Sequence, residues 1–385
     1  ADDPIYKEFL DEIATFDEVK TWFADSAFIP LTLYGESYAI PETMTFSMMF
    51  YRKDIFAELG VEVPNTWDDF YDLIYTLQSN VMDIGFPTGT AGSMIWMYQQ
   101  DEELYDMGNY DGYMELLRTR YSDQELEEMG YLYTDEEGKV VPKTDGMTIN
   151  LDSDIALSTF KEACQLFTMY DFPVTYEFSN RFRSGEMPLA ITDYTANYNK
   201  LIVFAPEING LWEFTPLPGT LQPDGTINNS TVGTITSMLM MRSVTDDNAL
   251  AAWTFMQWWM SAEVQATFGN EMVAILGPSA KQPTANILAL EDMAWSKDEA
   301  DNLFAQFKAV VCTPEFPGSY IIGRYTNFAF LDVKNKGAEP VAEMSSQIDA
   351  INAELSRKRA EFNLPTADLM KELQDAKDKQ NKGGN

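Results

Sequence analysis

Hydrophobic residues recur at helical spacing in two segments of the chain. In NTWDDFYDLIYTLQSN, the apolar residues of one helix face follow Thr66, and Asp69 stands three residues after that threonine. Threonine and an acid at this spacing are typical of a capping box, which predicts a helix that begins after Thr66. The same spacing predicts a second helix over residues 154–170, entered through Ser153.

Other stretches predict elements with different surroundings. The short apolar run MPLAIT suits a buried strand and ends at Asp193 and Tyr194. The segment DDNALAAWTFMQWWM is apolar almost all round, so we expect its helix to be wedged between other elements. A long amphipathic helix is predicted over residues 340–364, and the charged residues 365–385 are expected to be mobile.

Length and charge narrow the class of protein. A chain of 385 residues exceeds what one hydrophobic core usually supports, which predicts two cores joined by crossing segments. The chain has 61 acidic and 26 basic residues, for a net charge of -35. Because this field repels phosphate backbones and anionic headgroups, we expect no nucleic-acid partner.

The inventory of reactive side chains limits the chemistry further. The chain has no histidine, which excludes catalytic triads that use a histidine base. Its only cysteines, Cys164 and Cys312, lie in apolar stretches, so we expect buried free thiols, no zinc cluster and no cofactor. The apolar runs are too short to span a bilayer, and any secretion signal or lipid anchor is expected to lie outside this sequence.

Several segments resemble, in order, those of one protein family. They are SYAIPETMTFSMMFYRKDIFAELGVEVPNTWDDF, FRSGEMPLAITDYTANYN and TSMLMMRSVTDDNALAAWTFMQWWMSAEVQATFG. The first is similar to a strand, turn and P-x-TW-[DE]-[DE]-F helix start in the extracellular solute-binding proteins that deliver sugars to ABC importers. This family includes maltose-binding protein, and the resemblance spans roughly residues 38–330.

The resemblance implies a periplasmic-binding-protein-like α/β fold with two lobes and a hinge. Residues 1–42 and 229–290 are expected to form lobe one, and residues 43–228 and 291–364 lobe two. Only about forty residues precede the first crossing, so lobe one is predicted to be incomplete at its N-terminus. The chain is then a fragment of a longer receptor, or its lobe one is abbreviated or completed by another chain.

The resemblance also implies a function. An extracellular, surface-anchored receptor would hold a carbohydrate between its lobes without altering it and present it to the permease subunits of an ABC transporter. Two alternatives remain open at this stage. One is a glycoside-processing enzyme that uses paired carboxylates, and the other is a saccharide-sensing or attachment module not coupled to transport.

Candidate ligand-binding residues follow from the chemistry of sugars, whose ring faces stack on aromatic rings and whose hydroxyls bind planar polar groups. Structural roles are the alternatives: core packing for the aromatic residues, local capping for the glutamate and an ion pair for the arginine. The candidates implied by the resemblance are Glu42, Thr45, Trp96, Asp193, Tyr194, Tyr320 and Arg324.

Overall fold

The computed structural model describes residues 13–33, 36–106, 115, 117–129, 132–134, 140–142, 148–241, 245–362, 372–373, 375–376 and 379. Contacts divide the chain into two compact units. Unit 1 takes its described residues from 1–31, 37–87 and 170–313, and unit 2 from 32–36, 88–169 and 314–385.

The described residues of both units form helices and strands. The helices are α1 Phe16–Lys20, α2 Lys53–Leu59, α3 Trp67–Ser79, α4 Thr90–Gln99, α5 Asp123–Glu128, α6 Asp154–Thr168, α7 Phe178–Ser184, α8 Tyr194–Phe204, α9 Asp246–Met260, α10 Ala262–Leu276, α11 Ile287–Leu290, α12 Lys297–Phe307, α13 Tyr320–Lys336 and α14 Pro340–Glu361. The strands are β1 Thr32–Leu33, β2 Glu36–Ser37, β3 Ala39–Arg52, β4 Ile84–Gly85, β5 Tyr105–Asp106, β6 Leu132–Thr134, β7 Val140–Pro142, β8 Thr148–Ile149, β9 Leu189–Asp193, β10 Trp212–Thr215, β11 Thr220–Leu221, β12 Ile227–Asn228, β13 Thr231–Leu239 and β14 Val310–Cys312.

Unit 1 is built on a mixed sheet in the order β14-β13-β3-β9-β4, with β10 also paired to β3. The first half of β3 pairs antiparallel with β13, and its second half pairs antiparallel with β9 on one edge and β10 on the other. β3 is 14 residues long, which is why it can pair with β13 and β10 in succession. The outer strands β14 and β4 run parallel to their neighbours.

The helix predictions are confirmed by local hydrogen bonds. Thr66 Oγ1 accepts from the backbone N–H of Asp69 at 3.2 Å, and the Asp69 carboxylate accepts from the N–H of Thr66 at 3.0 Å. This reciprocal capping box starts α3 where the sequence predicts it. Ser153 caps α6, and α14 covers most of the predicted segment 340–364.

Each unit has its own packing. The core of unit 1 is rich in aromatic side chains around β3, where the rings of Phe46 and Phe307 meet edge to face at 5.9 Å. In unit 2, α4 and α14 pack against α6, and α13 packs against α14. Phe167 of α6 contacts Phe330 of α13 at 5.0 Å between ring centroids, and both rings are buried.

One packing prediction is wrong. α9 was expected to be wedged between other elements, but Phe255 and Trp258 are 52% and 53% exposed. The cause is that only part of the apolar circumference of α9 faces the unit 1 core, where Met256 and Met260 are buried. The prediction of buried free thiols at Cys164 and Cys312 is confirmed.

The predicted lobe boundaries do not coincide with the compact units. The positions 42/43 and 228/229 both fall inside unit 1, because β3 runs unbroken through the first of them and pairs with β13. The assignment of residues to lobes, including an incomplete lobe one, therefore stays a prediction. Most of the predicted mobile tail lies outside the described residues, and no described helix is long and apolar enough to cross a membrane.

Candidate functional site

One face of the unit 1 sheet carries hydroxyl groups. Along β3, the side chains of Thr43, Thr45 and Ser47 are partly exposed, whereas the intervening Met44 and Phe46 are buried. Successive side chains of a strand point to opposite faces of the sheet. The alternation therefore places the hydroxyls on one face and the apolar residues on the core side.

The neighbouring strand β13 extends this hydroxyl row. Thr234 lies opposite Thr45 and Thr236 lies opposite Thr43, so the side chains share a face. Thr234 and Thr236 are both exposed, and the Oγ1 atoms of Thr43 and Thr236 are hydrogen-bonded to each other. A ladder of hydroxyls thus crosses two paired strands.

Asp193 adds a carboxylate on the other side of β3. It is the last residue of β9 and lies opposite Ser47. Its Oδ1 accepts from the backbone N–H of Ala196 at 2.8 Å, which caps α8 and fixes the side chain. A carboxylate has lone pairs beyond the one used here, so Asp193 can accept further hydrogen bonds. We call Thr43, Thr45, Ser47, Asp193, Thr234 and Thr236 the polar sheet face.

The polar sheet face is backed by a packed core. On the opposite side of β3, Phe46 contacts Tyr194 at 4.7 Å between ring centroids, and both rings are buried. Backbone pairing and this packing hold the strands that carry the hydroxyls in place. The arrangement offers donors and acceptors in fixed positions to a polar molecule with several hydroxyl groups.

Comparison with known proteins assigns the chain to a family. The family model for bacterial extracellular solute-binding proteins matches residues 5–298, which is more than half of the chain. The chain belongs to this family. The expectation from the resemblance is confirmed at the level of family and fold.

Individual relatives of this solute-binding protein are distant. A multiple sugar-binding protein of Streptococcus mutans serotype c is 35% identical over 63 residues, which are 16% of this chain and 15% of that protein. The sugar-binding protein MalE of Xanthomonas citri has a TM-score of 0.66 at 17% identity, with 92% of this chain and 82% of that chain covered. An ABC transporter solute-binding protein of Thermotoga lettingae, bound to α-D-tagatose, has a TM-score of 0.61 at 15% identity, with 90% and 79% covered. These likenesses show a two-lobed, mixed α/β fold of the periplasmic-binding-protein type.

The structure divides the predicted unit 1 residues between the two faces of the sheet. Thr45 and Asp193 belong to the polar sheet face. Glu42 lies where the register between β3 and β13 shifts, and its Oε1 accepts from the Trp259 indole N–H at 2.8 Å. Tyr194 is only 1% exposed and packs in the core, as the structural alternative expects. The ligand-binding roles of all four residues stay predictions.

The predicted unit 2 residues also differ in exposure. Trp96 is buried in α4, whereas Tyr320 is 58% exposed at the start of α13. The Tyr320 hydroxyl donates to Glu354 Oε1 at 3.0 Å, and hydrogen bonds from Arg357 hold the pKa of Glu354 at about 2. Arg324 is exposed one turn after Tyr320, so both side chains lie on one side of the helix.

Sequence reasoning missed Thr43, Ser47, Thr234 and Thr236. The signal is present, since threonine or serine occupies every second position in TMTFS and TIT. The segments FSMMF and TITSMLMM read as buried apolar runs because methionine and phenylalanine dominate them.

Among the described residues, no group of three or more histidine, cysteine, aspartate or glutamate side chains is arranged to hold a metal ion.

Proposed function

We propose that this solute-binding protein captures a carbohydrate for an ABC importer and binds it without altering it. The observation that carries the proposal is the polar sheet face, in which hydroxyls on two paired strands stand beside the Asp193 carboxylate. The relatives from Streptococcus mutans and Xanthomonas citri are both named as sugar-binding proteins, which supports the same ligand class.

The chemistry of the polar sheet face suits neighbouring sugar hydroxyls. Each threonine or serine hydroxyl can donate one hydrogen bond and accept others, and a carboxylate accepts from hydroxyl donors with the strength of a charged partner. Each sugar hydroxyl can likewise donate one hydrogen bond and accept others. Hydroxyls held on a sheet lose little freedom on binding, which favours affinity.

The rest of the receptor hypothesis extends this proposal. The sugar would be held between two lobes, with Tyr320 stacking on a ring face and Arg324 donating to vicinal hydroxyls or a uronate. The loaded protein would be recognised by the permease subunits of an ABC transporter. An anchor outside this sequence would hold it at the cell surface.

Calorimetric titration with maltose, maltotetraose and D-tagatose tests the ligand class. We expect saturable binding of at least one of them. Thr45→Val removes one hydroxyl at nearly constant volume and should weaken binding about fivefold, equivalent to roughly 1 kcal/mol for one neutral hydrogen bond. Asp193→Asn keeps the ability to cap α8 and should weaken binding at least about tenfold, because hydrogen bonds to charged groups contribute more.

Thr168→Val is the matched control, since Thr168 is an exposed helical threonine of unit 2 that does not belong to the polar sheet face. It should leave the affinity unchanged. Equal affinities of Thr45→Val, Asp193→Asn and wild type for every bound sugar would refute the proposed role of the polar sheet face.

Chemical turnover is tested in the same samples. Chromatography of the sugar after long incubation should return it unchanged. Release of shorter saccharides in proportion to protein concentration would instead establish the glycoside-processing alternative, in which two carboxylates flank a glycosidic bond.

A further inference from the structure

One face of α13 in unit 2 carries side chains that are unusual for an exposed helix face. Its exposed positions follow the helical period, while the opposite face is buried through side chains such as Ile322 and Phe330. An exposed helix face ordinarily carries charged and polar residues, whereas this one has a large aromatic ring at each end. We call the exposed residues the aromatic stripe, and they are Tyr320, Gly323, Arg324, Asn327 and Phe328.

Both rings of the aromatic stripe are exposed and yet held in place. The Tyr320 hydroxyl donates to Glu354 Oε1 at 3.0 Å, which fixes the direction of its ring. Phe328 is 47% exposed, and its ring meets that of Tyr325 edge to face at 5.7 Å between centroids. Because these rings are already ordered, a ligand that stacks on them loses little affinity to side-chain ordering. Exposed rings of this kind suit the apolar faces of sugars.

The polar side chains between the two rings are available to a ligand. Among the described residues, neither Arg324 nor Asn327 has a hydrogen-bond or ion-pair partner. The chain has 61 acidic residues for 26 basic ones, so a shortage of carboxylates does not explain the unpaired guanidinium. Guanidinium donors and an amide that both donates and accepts match the hydrogen bonding of neighbouring sugar hydroxyls.

Gly323 leaves a gap in the middle of the aromatic stripe. It lies inside α13, where glycine is less favourable than alanine. A Cβ added at Gly323 would meet no heavy atom of the described residues within 4 Å, and the backbone there is not left-handed. Neither packing nor backbone conformation therefore requires glycine at this position. The missing side chain lets a ligand lie close to the helix backbone between the two rings.

The length of the aromatic stripe sets the length of the ligand. Tyr320 and Phe328 are eight residues apart, so they are separated by about 12 Å along α13 at a rise of about 1.5 Å per residue. One sugar ring cannot stack on both side chains across this distance. We propose that the aromatic stripe binds an oligosaccharide of at least three pyranose units, with one unit on Tyr320, one on Phe328 and the unit between them over Gly323. This inference rests on the proposed function and deepens it, since it selects oligosaccharides over monosaccharides.

Calorimetric titration of the whole chain with two glucan series tests the length requirement. The α-linked series is D-glucose, maltose, maltotriose and maltotetraose, and the β-linked series is D-glucose, cellobiose, cellotriose and cellotetraose. In at least one series, we expect the affinity to rise at least about tenfold from the disaccharide to the trisaccharide, because only the trisaccharide reaches both rings.

Phe328→Ala removes the second ring and should abolish this gain. The variant should bind the trisaccharide with about the affinity that wild type has for the disaccharide. A disaccharide reaches one ring only, and Arg324 lies one turn from Tyr320, so the disaccharide affinity should stay within about twofold of wild type. Phe362→Ala is the matched control, because Phe362 is an exposed phenylalanine of unit 2 outside the aromatic stripe. It should leave both affinities unchanged.

Gly323→Leu separates ligand contact from stability. Leucine favours a helix more than glycine does, and its side chain would enter open space, so the melting temperature should stay the same or rise. The same side chain would fill the gap between the rings, so trisaccharide affinity should fall at least about tenfold. A purely structural role of the aromatic stripe predicts no such loss of affinity in a protein of unchanged or higher melting temperature.

Three results would overturn this inference while leaving carbohydrate binding intact. They are a sugar affinity that does not depend on chain length, equal trisaccharide affinities of Phe328→Ala and Phe362→Ala, and wild-type trisaccharide affinity of Gly323→Leu. Absence of binding by every glucan and by D-tagatose would instead refute the proposed function and this inference together, so the two failures can be told apart.

Discussion

Substitutions at Tyr194 can show whether this residue packs in the core or stacks on a ligand. Its ring is 1% exposed and contacts Phe46 at 4.7 Å between centroids. Replacing a buried aromatic side chain with alanine typically costs about 3–5 kcal/mol, because transfer energy is lost and a cavity remains. We therefore expect Tyr194→Ala to lower the free energy of unfolding by about that amount, of which roughly 0.5–1.5 kcal/mol reflects the aromatic pair.

Tyr194→Phe separates the ring from its hydroxyl. It keeps the packing and removes a buried hydroxyl that has no hydrogen-bond partner among the described residues, so we expect the stability to stay unchanged or to rise by up to about 1.5 kcal/mol. Tyr75→Ala is the matched control for truncation, since Tyr75 is 79% exposed on α3. It should fall within about 0.5 kcal/mol of wild type.

Urea denaturation followed by tryptophan fluorescence measures the stability, and calorimetry measures sugar affinity in the same variants. If Tyr194 is a core residue, Tyr194→Ala loses stability and Tyr194→Phe binds sugar within about twofold of wild type. The reasoning would be refuted by a Tyr194→Ala protein with wild-type stability and sugar affinity reduced about tenfold or more, because that pattern requires the ring to face the ligand.

Further predictions concern buried groups of unit 1 and unit 2. Burial lowers the pKa of Lys281, whose Nζ lies 3.6 Å from the Trp295 ring centroid. Between the lowered pKa of the folded state and 10.5, the unfolded protein therefore binds more protons at this lysine than the folded protein does. The free energy of unfolding of wild type, measured by urea titration, should thus increase relative to that of Lys281→Met as the pH rises towards 10.5. Gly233→Ala would bring its new Cβ to 2.4 Å from a β14 side chain, which should cost about 1–3 kcal/mol in the same assay. Burial raises the pKa of Cys164 and Cys312 to about 12, so both thiols should react with Ellman's reagent at neutral pH only after unfolding, and rapid reaction of native protein would contradict this.

Secondary-structure elements could be predicted from the sequence where the residues that specify them are close together in the chain. Thr66 and Asp69 are three positions apart, so their capping box forms within one turn and could be predicted without knowing the fold. The order of motifs likewise identified the family. The period of two could have identified the alternating threonines of β3 from the sequence. Their partners on β13 could not be identified in this way, because Thr43 and Thr236 are 193 residues apart in the chain.

The sequence by itself determined the α/β class, the main helices and the absence of histidine chemistry, since these depend on short-range patterns and composition. Only the tertiary structure decided which side of a strand faces the core. Adjacent residues such as Asp193 and Tyr194 end on opposite sides of the sheet, one capping a helix beside the hydroxyl ladder and the other packed on Phe46. Burial is a property of what packs against a residue, and those partners come from distant parts of the chain.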